Sequence, residues 1–375
     1  MKGIVQSLKV LMNIIKWVLI IGILLFSLAT FMGKAYLQTF VLIIIAIVLA
    51  YWPAYFDKKL NKKASLISRI LVIVILIAIN IVFFKPEPKS SIYLSGTNKE
   101  KLMGIYDKNM ADWPENTEDI FVLTDFGKVH ILACGSKNNP PLLMIHAASM
   151  GAHSWAENIN SLLNNFRIYS FDNIGEGNKS ELNDALNFTK NGKEIADFYA
   201  KLADSLGVNY SPVFGASNGG FIAMNYAFYY PERVESLALF GPMGLTKLTN
   251  KSIMMLSIAS MYPFQFIRNF VTKWALGDNE YVITKYSDWF NCIIKGTIPS
   301  IAKPVPMTTE QKRKMELPIL LFLGTKDHIV GNAGFAKQTA EEFPNIQIEI
   351  LESGHLIAVE HADFVNEAIK DFLNI

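Results

Sequence analysis

Two kinds of hydrophobic pattern divide the chain near residue 86. Before that point three long apolar runs follow one another, and none of them contains an acidic residue. With their flanks they cover about residues 10–32, 36–56 and 66–85, so each approaches the roughly 20 residues that a helix needs to cross a bilayer. The rest of the chain alternates short apolar segments with amphipathic ones. That alternation predicts a mostly parallel sheet with helices on both faces.

The three apolar runs predict a transmembrane anchor over residues 1–85. A cleaved signal peptide would explain only the first run, and two spans with an interfacial segment are the main alternative. The loop after the second run carries four lysines at positions 58, 59, 62 and 63, whereas the loop before it carries only Lys34. Because basic short loops stay in the cytoplasm, we expect a multi-pass protein of the cell membrane whose remaining chain lies on the extracellular side. Few polar residues lie inside the runs, which disfavours a transport role.

Beyond the anchor, residues 86–116 predict a linker and a short leader helix, and residues 117–375 a single domain. The linker starts with a polar, proline-containing stretch, and roughly 260 residues then remain, enough for one large core. From about residue 244 to 312 a segment rich in methionine and aromatic residues interrupts the alternation of strands and helices. Most of these side chains are expected to pack that segment on the core, and a minority to line an apolar pocket.

A Gly-x-Ser-x-Gly sequence centred on Ser217 is the clearest chemical signal in the chain. Residues 211–214 before it predict a buried strand, and residues 221–230 after it predict an apolar helix. Strand, tight turn and helix form the context in which such a serine is an outward-projecting nucleophile. A Cβ atom at Gly215 or Gly219 would crowd that turn. The alternative is that Ser217 is an ordinary helix N-cap.

A serine nucleophile needs a base, and the base needs a group that orients it. His355 follows a predicted strand over residues 346–351, and Asp327 follows another over residues 318–325. We interpret His355 as the base and Asp327 as its orienting carboxylate. Three alternatives stay open: Asp327 caps the following helix, Glu352 orients the histidine instead, or His355 is an ordinary turn residue.

Residues from about 117 to 375 resemble the α/β-hydrolase superfamily, and specifically its bacterial single-domain carboxylesterase-like members. The chain order Ser217, Asp327, His355 is the order used in that fold. Other matching segments are an opening hairpin over 121–135 with Gly127 in its turn, a third strand over 141–146, a loop over 172–180 that resembles the family's Asp-x-x-Gly-x-Gly-x-Ser loop, and a leader helix over 106–114. Asp172 is interpreted as loop architecture. The resemblance implies an α/β-hydrolase fold with a helical cap at about 244–312.

The same resemblance implies an oxyanion hole formed by two backbone N–H groups. Asn218, directly after the nucleophile, supplies one, and Ala148, in the loop after the third strand, supplies the other. Ala147 is the second candidate for that loop, and it stands where relatives typically have glycine. The loop must therefore avoid a positive φ at Ala147 or bear strain there.

Together these features predict a membrane-anchored serine hydrolase that cleaves carboxylic esters or thioesters with an apolar portion through an acyl-enzyme. The alternatives are an acyltransferase, another reaction of the same triad, and a catalytically idle membrane-bound binding module. The chemistry needs no cofactor, and no residue cluster has metal-ligand spacing. The expected partners are a small-molecule or lipid-like ester and membrane lipid. A net charge of +2 without a basic stripe argues against nucleic acid, and the oligomeric state and any bridge between Cys134 and Cys292 stay open.

Overall fold

The computed structural model describes residues 91–183, 191–247 and 265–375, together with positions 188, 249, 252 and 255. The three predicted transmembrane spans and the start of the linker lie outside these residues. Among the described residues, no helix combines the length and apolar character required to cross a bilayer.

A single mixed sheet forms the centre of the described domain. Its order is β1-β2-β4-β3-β6-β7-β8-β9, with β5 paired to β2. The first strands pair antiparallel, and every pair from β4 to β9 is parallel, which confirms the predicted mostly parallel sheet. The strands are β1 Glu118–Thr124, β2 Gly127–Cys134, β3 Pro141–Ile145, β4 Arg167–Phe171, β5 Glu181–Leu182, β6 Ser211–Ala216, β7 Val234–Phe240, β8 Ile319–Gly324 and β9 Ile346–Leu351.

Helices cover both faces of this sheet. They are α1 Gly96–Asn109, α2 Ala156–Ile159, α3 Gly192–Ser205, α4 Asn218–Tyr229, α5 Gln265–Leu276, α6 Glu280–Gly296, α7 Thr309–Arg313, α8 Ala333–Ala340, α9 Ile357–Glu360 and α10 Ala362–Leu373. Side chains of β3 alternate between two hydrophobic layers, with Leu143 and Ile145 in one and Leu142 and Met144 in the other. The first layer packs against α3 and α4, and the second against α9 and α10.

The leader helix differs from the prediction in its extent. Helix α1 begins at Gly96 because the Ser95 side chain caps it by accepting a hydrogen bond from the Asn98 N–H. It ends at Asn109, and only a short 3₁₀ turn, Met110–Asp112, follows. The predicted span of 106–114 therefore covers only its end.

In its described residues the predicted cap insertion between β7 and β8 contains three helices, α5, α6 and α7, and irregular chain over residues 298–308 between α6 and α7. Lys285 joins helix α6 to α2 and to the 3₁₀ turn after α1. Its Nζ pairs with Glu157 and lies 2.8 Å from Asp112 Oδ2. Cys134 and Cys292 are both buried and unbridged. The cysteine pairing that the sequence left open is therefore not formed.

Candidate active site

Ser217 occupies the sharp turn between β6 and α4. Its backbone is held at φ 51° and ψ −115°, an unusual conformation for a residue other than glycine. A Cβ atom at Gly215 would lie 2.6 Å from Gly219 O, and one at Gly219 only 2.2 Å from Ile145 O. The crowding predicted at both glycines is therefore present. Ser217 makes no side-chain capping bond to α4, so the ordinary N-cap interpretation is wrong.

Asp327 and His355 form a buried pair at the ends of β8 and β9. Asp327 Oδ2 lies 2.7 Å from His355 Nδ1, and Oδ1 accepts hydrogen bonds from the N–H groups of Ile329 and Val330 at 2.8 and 3.0 Å. Burial alone would raise the pKa of Asp327, but the charge and hydrogen bond of His355 and the two amides outweigh it and lower this pKa. The carboxylate stays ionised, so His355 is held with Nδ1 protonated and Nε2 free to act as a base.

The alternatives for these two residues do not fit the structure. Glu352 lies on the surface, with its Oε1 2.8 Å from Lys326 Nζ, and forms no hydrogen bond or ion pair with His355. The helix after Asp327 is capped by Asn332, whose side chain accepts from the Phe335 N–H at 2.8 Å. Of the carboxylates proposed to orient His355, Asp327 is the one bonded to it.

The end of β7 brings the serine and the Asp–His pair to one place. The Ser217 N–H donates to Phe240 O at 2.9 Å, and a Cβ atom at the next residue, Gly241, would lie 3.0 Å from Asp327 Oδ2. His355 and Ala216 line the same apolar pocket, together with Met150 and Trp155. Among the described residues Ser217 Oγ makes no hydrogen bond to His355. In ligand-free enzymes the hydrogen bond between nucleophile and base is often long, and it shortens when substrate binds.

The loop after β3 avoids the strain that its sequence suggested. Positive φ falls at Ser149, with φ 62°, and not at Ala147. His146 Nδ1 donates to Ala147 O at 2.7 Å, while its Nε2 accepts from the Asn173 N–H at 2.9 Å. These two bonds define the tautomer of His146, and burial lowers its pKa, so the ring is neutral.

That histidine also orients the amide of Ala148. In a trans peptide the C=O and the following N–H point in opposite directions, so holding Ala147 O fixes the direction of the Ala148 N–H. In the described part of the chain the N–H groups of Ala148, Ala147 and Asn218 bond to no acceptor. They remain available to bind a negatively charged oxygen.

The glycine-rich loop after β4 contains one acid that was expected to be structural and one that was missed. Asp172 is fully buried, accepts from the Ala152 N–H at 2.6 Å and lies 2.7 Å from His130 Nδ1, in accord with its interpretation as loop architecture. Glu176 is also buried and accepts from the Ser149 N–H. Its position within Gly175-Glu176-Gly177, close behind a strand end, is the signal that could have identified it.

Two further histidines near the site pack against aromatic rings. His153 is buried against Trp289 and Tyr106, with ring centroids 4.5 and 4.6 Å away. Burial lowers its pKa to about 3, so it is neutral. His328 stacks on Trp274 at 5.8 Å.

Comparisons with known proteins indicate the fold and the class of enzyme. The sequence profile of the α/β hydrolase fold matches residues 140–270. An uncharacterized carboxylesterase of Bacillus subtilis is 27% identical over 305 residues, which cover 76% of this chain and 96% of that protein. A second carboxylesterase of that species is 26% identical over 72% of this chain and 92% of its own.

A solved structure extends the similarity to three dimensions. The crystal structure of naproxen esterase from Bacillus subtilis superimposes with a TM-score of 0.68 at 26% identity, covering 75% of this chain and 99% of that one. The chain therefore has the α/β-hydrolase fold. It is a hydrolase enzyme, similar to bacterial carboxylesterases.

Proposed function

We propose that this protein hydrolyses carboxylic esters or thioesters with an apolar portion, using Ser217, Asp327 and His355 as a catalytic triad. The observation that carries the proposal is the buried 2.7 Å pair of Asp327 and His355 beside a serine held at positive φ. The similarity to bacterial carboxylesterases supports the reaction class.

In the proposed mechanism Ser217 Oγ attacks the acyl carbon while His355 Nε2 accepts the hydroxyl proton. The N–H groups of Asn218 and Ala148 bind the oxyanion that develops. His355 then protonates the leaving alcohol or thiol, and a water molecule deprotonated by the same ring releases the acid. Asp327 stabilises the imidazolium through both steps. If an alcohol replaces water in the second step, the enzyme is an acyltransferase.

The substrate portion beside the triad is apolar in this proposal. The pocket that His355 shares with Ala216 is lined largely by hydrophobic side chains, among them Met150, Trp155 and Phe240. Such a surface favours an alkyl or aryl acyl group over a charged one.

The proposal also includes a membrane location, with the hydrolase domain on the extracellular side. It rests on the three apolar runs within residues 1–85 and on the basic loop between the second and the third. Membrane lipid around those helices would keep the enzyme close to lipid-like esters.

Labelling with a fluorophosphonate probe on intact cells tests the triad. Wild-type protein should be labelled, and Ser217→Ala should not, because the probe reacts only with an activated serine. Asp327→Asn should slow labelling by on the order of 10³–10⁴, since the imidazole loses its correct tautomer. Glu352→Gln is the matched control and should label at the wild-type rate.

Two results would contradict the assigned triad. Folded wild-type protein that is not labelled would rule out an activated serine, and equal effects of Asp327→Asn and Glu352→Gln would rule out the assigned orienting residue. A membrane-impermeant probe, used in parallel, should label intact cells as fully as lysed cells. Labelling only after lysis would overturn the extracellular placement.

A further inference from the structure

The loop after β3, residues 146–151, carries the proposed oxyanion-binding amide of Ala148 and is held from two sides at Ser149. The Ser149 N–H donates to the Glu176 carboxyl, and Ser149 O accepts from Trp289 Nε1 at 2.8 Å. Glu176 belongs to the loop after β4, whereas Trp289 belongs to cap helix α6. Both polar groups of the Ser149 backbone are therefore bonded to side chains from distant parts of the chain.

Both partners are fixed in place by burial and by further bonds. Glu176 is 2% exposed, and its other oxygen accepts from Asn173 Nδ2 at 3.2 Å. Trp289 is fully buried, and its ring packs edge-on against His153. Neither side chain can turn away from Ser149 without leaving a buried polar group unpaired, which is costly.

Helix α6 also holds the segment that follows this loop. Lys285 Nζ pairs with Glu157 in α2, and Tyr281 OH donates to Glu157 Oε1 at 2.8 Å. The cap helix is thus bonded at both Ser149 and Glu157. A displacement of α6 must move this segment or break these bonds.

From these contacts we infer that Trp289 and Glu176 are positioning residues that hold the Ala148 amide in its oxyanion-binding direction, so that the cap helix controls the oxyanion hole. The inference rests on the proposed function. The Ser149 N–H lies in the peptide unit next to the one that carries the Ala148 N–H, and positive φ at Ser149 needs support from outside. The Glu176 carboxyl fixes the peptide unit that carries the Ser149 N–H. The Trp289 indole, from the cap, fixes the next peptide unit, which carries Ser149 O.

The test compares Trp289→Phe with Trp274→Phe. The first removes the indole N–H that binds Ser149 O. The second removes an indole N–H of the same cap, on α5, that bonds to no acceptor in the described part of the chain. With p-nitrophenyl butyrate, Trp289→Phe should lower kcat by about tenfold with little change in KM, because one hydrogen bond to the loop is lost. Trp274→Phe should leave both constants unchanged.

Glu176 is tested by a graded pair of variants. Glu176→Gln keeps an oxygen that accepts from the Ser149 N–H and should retain most of kcat, whereas Glu176→Leu should lose at least about tenfold. Equal loss in the two variants would show that the hydrogen bond is not what matters and would overturn the role of Glu176.

Amide hydrogen exchange gives a readout that does not depend on catalysis. Exchange over residues 146–151 should accelerate in Trp289→Phe and not in Trp274→Phe. If the two variants match in exchange and in kcat, the inference is overturned. The two readouts can also disagree. If wild type does not hydrolyse the ester but exchange still differs between Trp289→Phe and Trp274→Phe, the proposed function is refuted and the contact between cap and loop is established.

Discussion

Glu176 shows how one buried acid can make stability depend on pH. Burial, assisted by the charge of Asp172, raises its pKa from 4.5 to about 8, although hydrogen bonds from Ser149 and Asn173 act in the opposite direction. The folded protein therefore binds a proton at pH values where the unfolded chain has already released it. The stabilising effect is fully present below the unfolded pKa and is lost as the pH rises through the folded pKa.

We expect the free energy of unfolding to fall between about pH 4.5 and pH 8 in wild type, and to fall less in Glu176→Gln. The difference should reach several kcal/mol, since one pKa unit corresponds to about 1.4 kcal/mol. Urea unfolding at closely spaced pH values measures it. Glu235→Gln, on an exposed position of β7, is the control and should follow wild type. Parallel curves for wild type and Glu176→Gln would show that Glu176 is ionised in the folded protein.

At the level of elements, the turn between β6 and α4 depends on a close approach of α4 to the end of β3. A Cβ atom at Gly219 would lie 2.2 Å from Ile145 O and 2.6 Å from His146 O. Both contacts are to backbone, so neither can move aside as a flexible side chain would.

Gly219→Ala should therefore destabilise the protein by about 3 kcal/mol or more and abolish ester hydrolysis. Gly104→Ala in α1 is the matched control, because a Cβ atom there meets nothing within 4 Å. Alanine also favours the helix, so this control should gain up to about 1 kcal/mol. Thermal or urea unfolding distinguishes the two, and a stable, active Gly219→Ala enzyme would show that the turn tolerates a side chain.

Local sequence predicted the elements around the serine because each carries its own signal. The strand before Ser217 is a short apolar run, the helix after it stops before proline, and the glycines mark the turn. Asp327 and His355 were identifiable for the same reason, since each lies within four residues of the end of a strand that the sequence predicts. Their pairing then follows from the parallel order of β8 and β9.

The contacts that support the site were not predictable in this way. Trp289 and Ser149 are 140 positions apart, and nothing near either residue specifies the other. Glu176 lies in a glycine-rich loop, where a carboxylate normally indicates solvent exposure, and only the surrounding tertiary structure buries it. The start of α1 was missed because Ser95 and Gly96 also fit a polar linker.

On the scale of the whole molecule, the domain extends further toward the amino terminus than its first helix. The segment from Ile92 to Leu94 pairs with the end of α6: Leu94 N–H donates to Gly296 O at 2.9 Å, and Ile298 N–H donates to Ile92 O at 2.7 Å. Tyr93 OH also donates to Asn178 O at 2.8 Å. These residues belong to the compact unit Pro88–Ile375.

A chain that begins at Pro88 should fold and hydrolyse esters like the full-length enzyme. One that begins at Ser95 keeps the cap of α1 but loses the paired segment, and it should be less stable by roughly 2–4 kcal/mol. Urea unfolding of the two purified proteins measures the difference. Identical midpoints would mean that residues 92–94 add nothing to the fold.

The glycines of the catalytic turn also limit how this enzyme can change. Side chains are excluded at Gly215 and Gly219 by backbone atoms, and at Gly220 by Pro242, whose Cβ would lie 2.6 Å from an added Cβ. Ser217 is the position between them that already bears a side chain in the strained conformation. Evolution can therefore exchange the nucleophile in place, for example for cysteine, but cannot move it to one of these glycine positions. Mutation can therefore change the chemical group at position 217, whereas the backbone of the turn determines where the reacting atom lies.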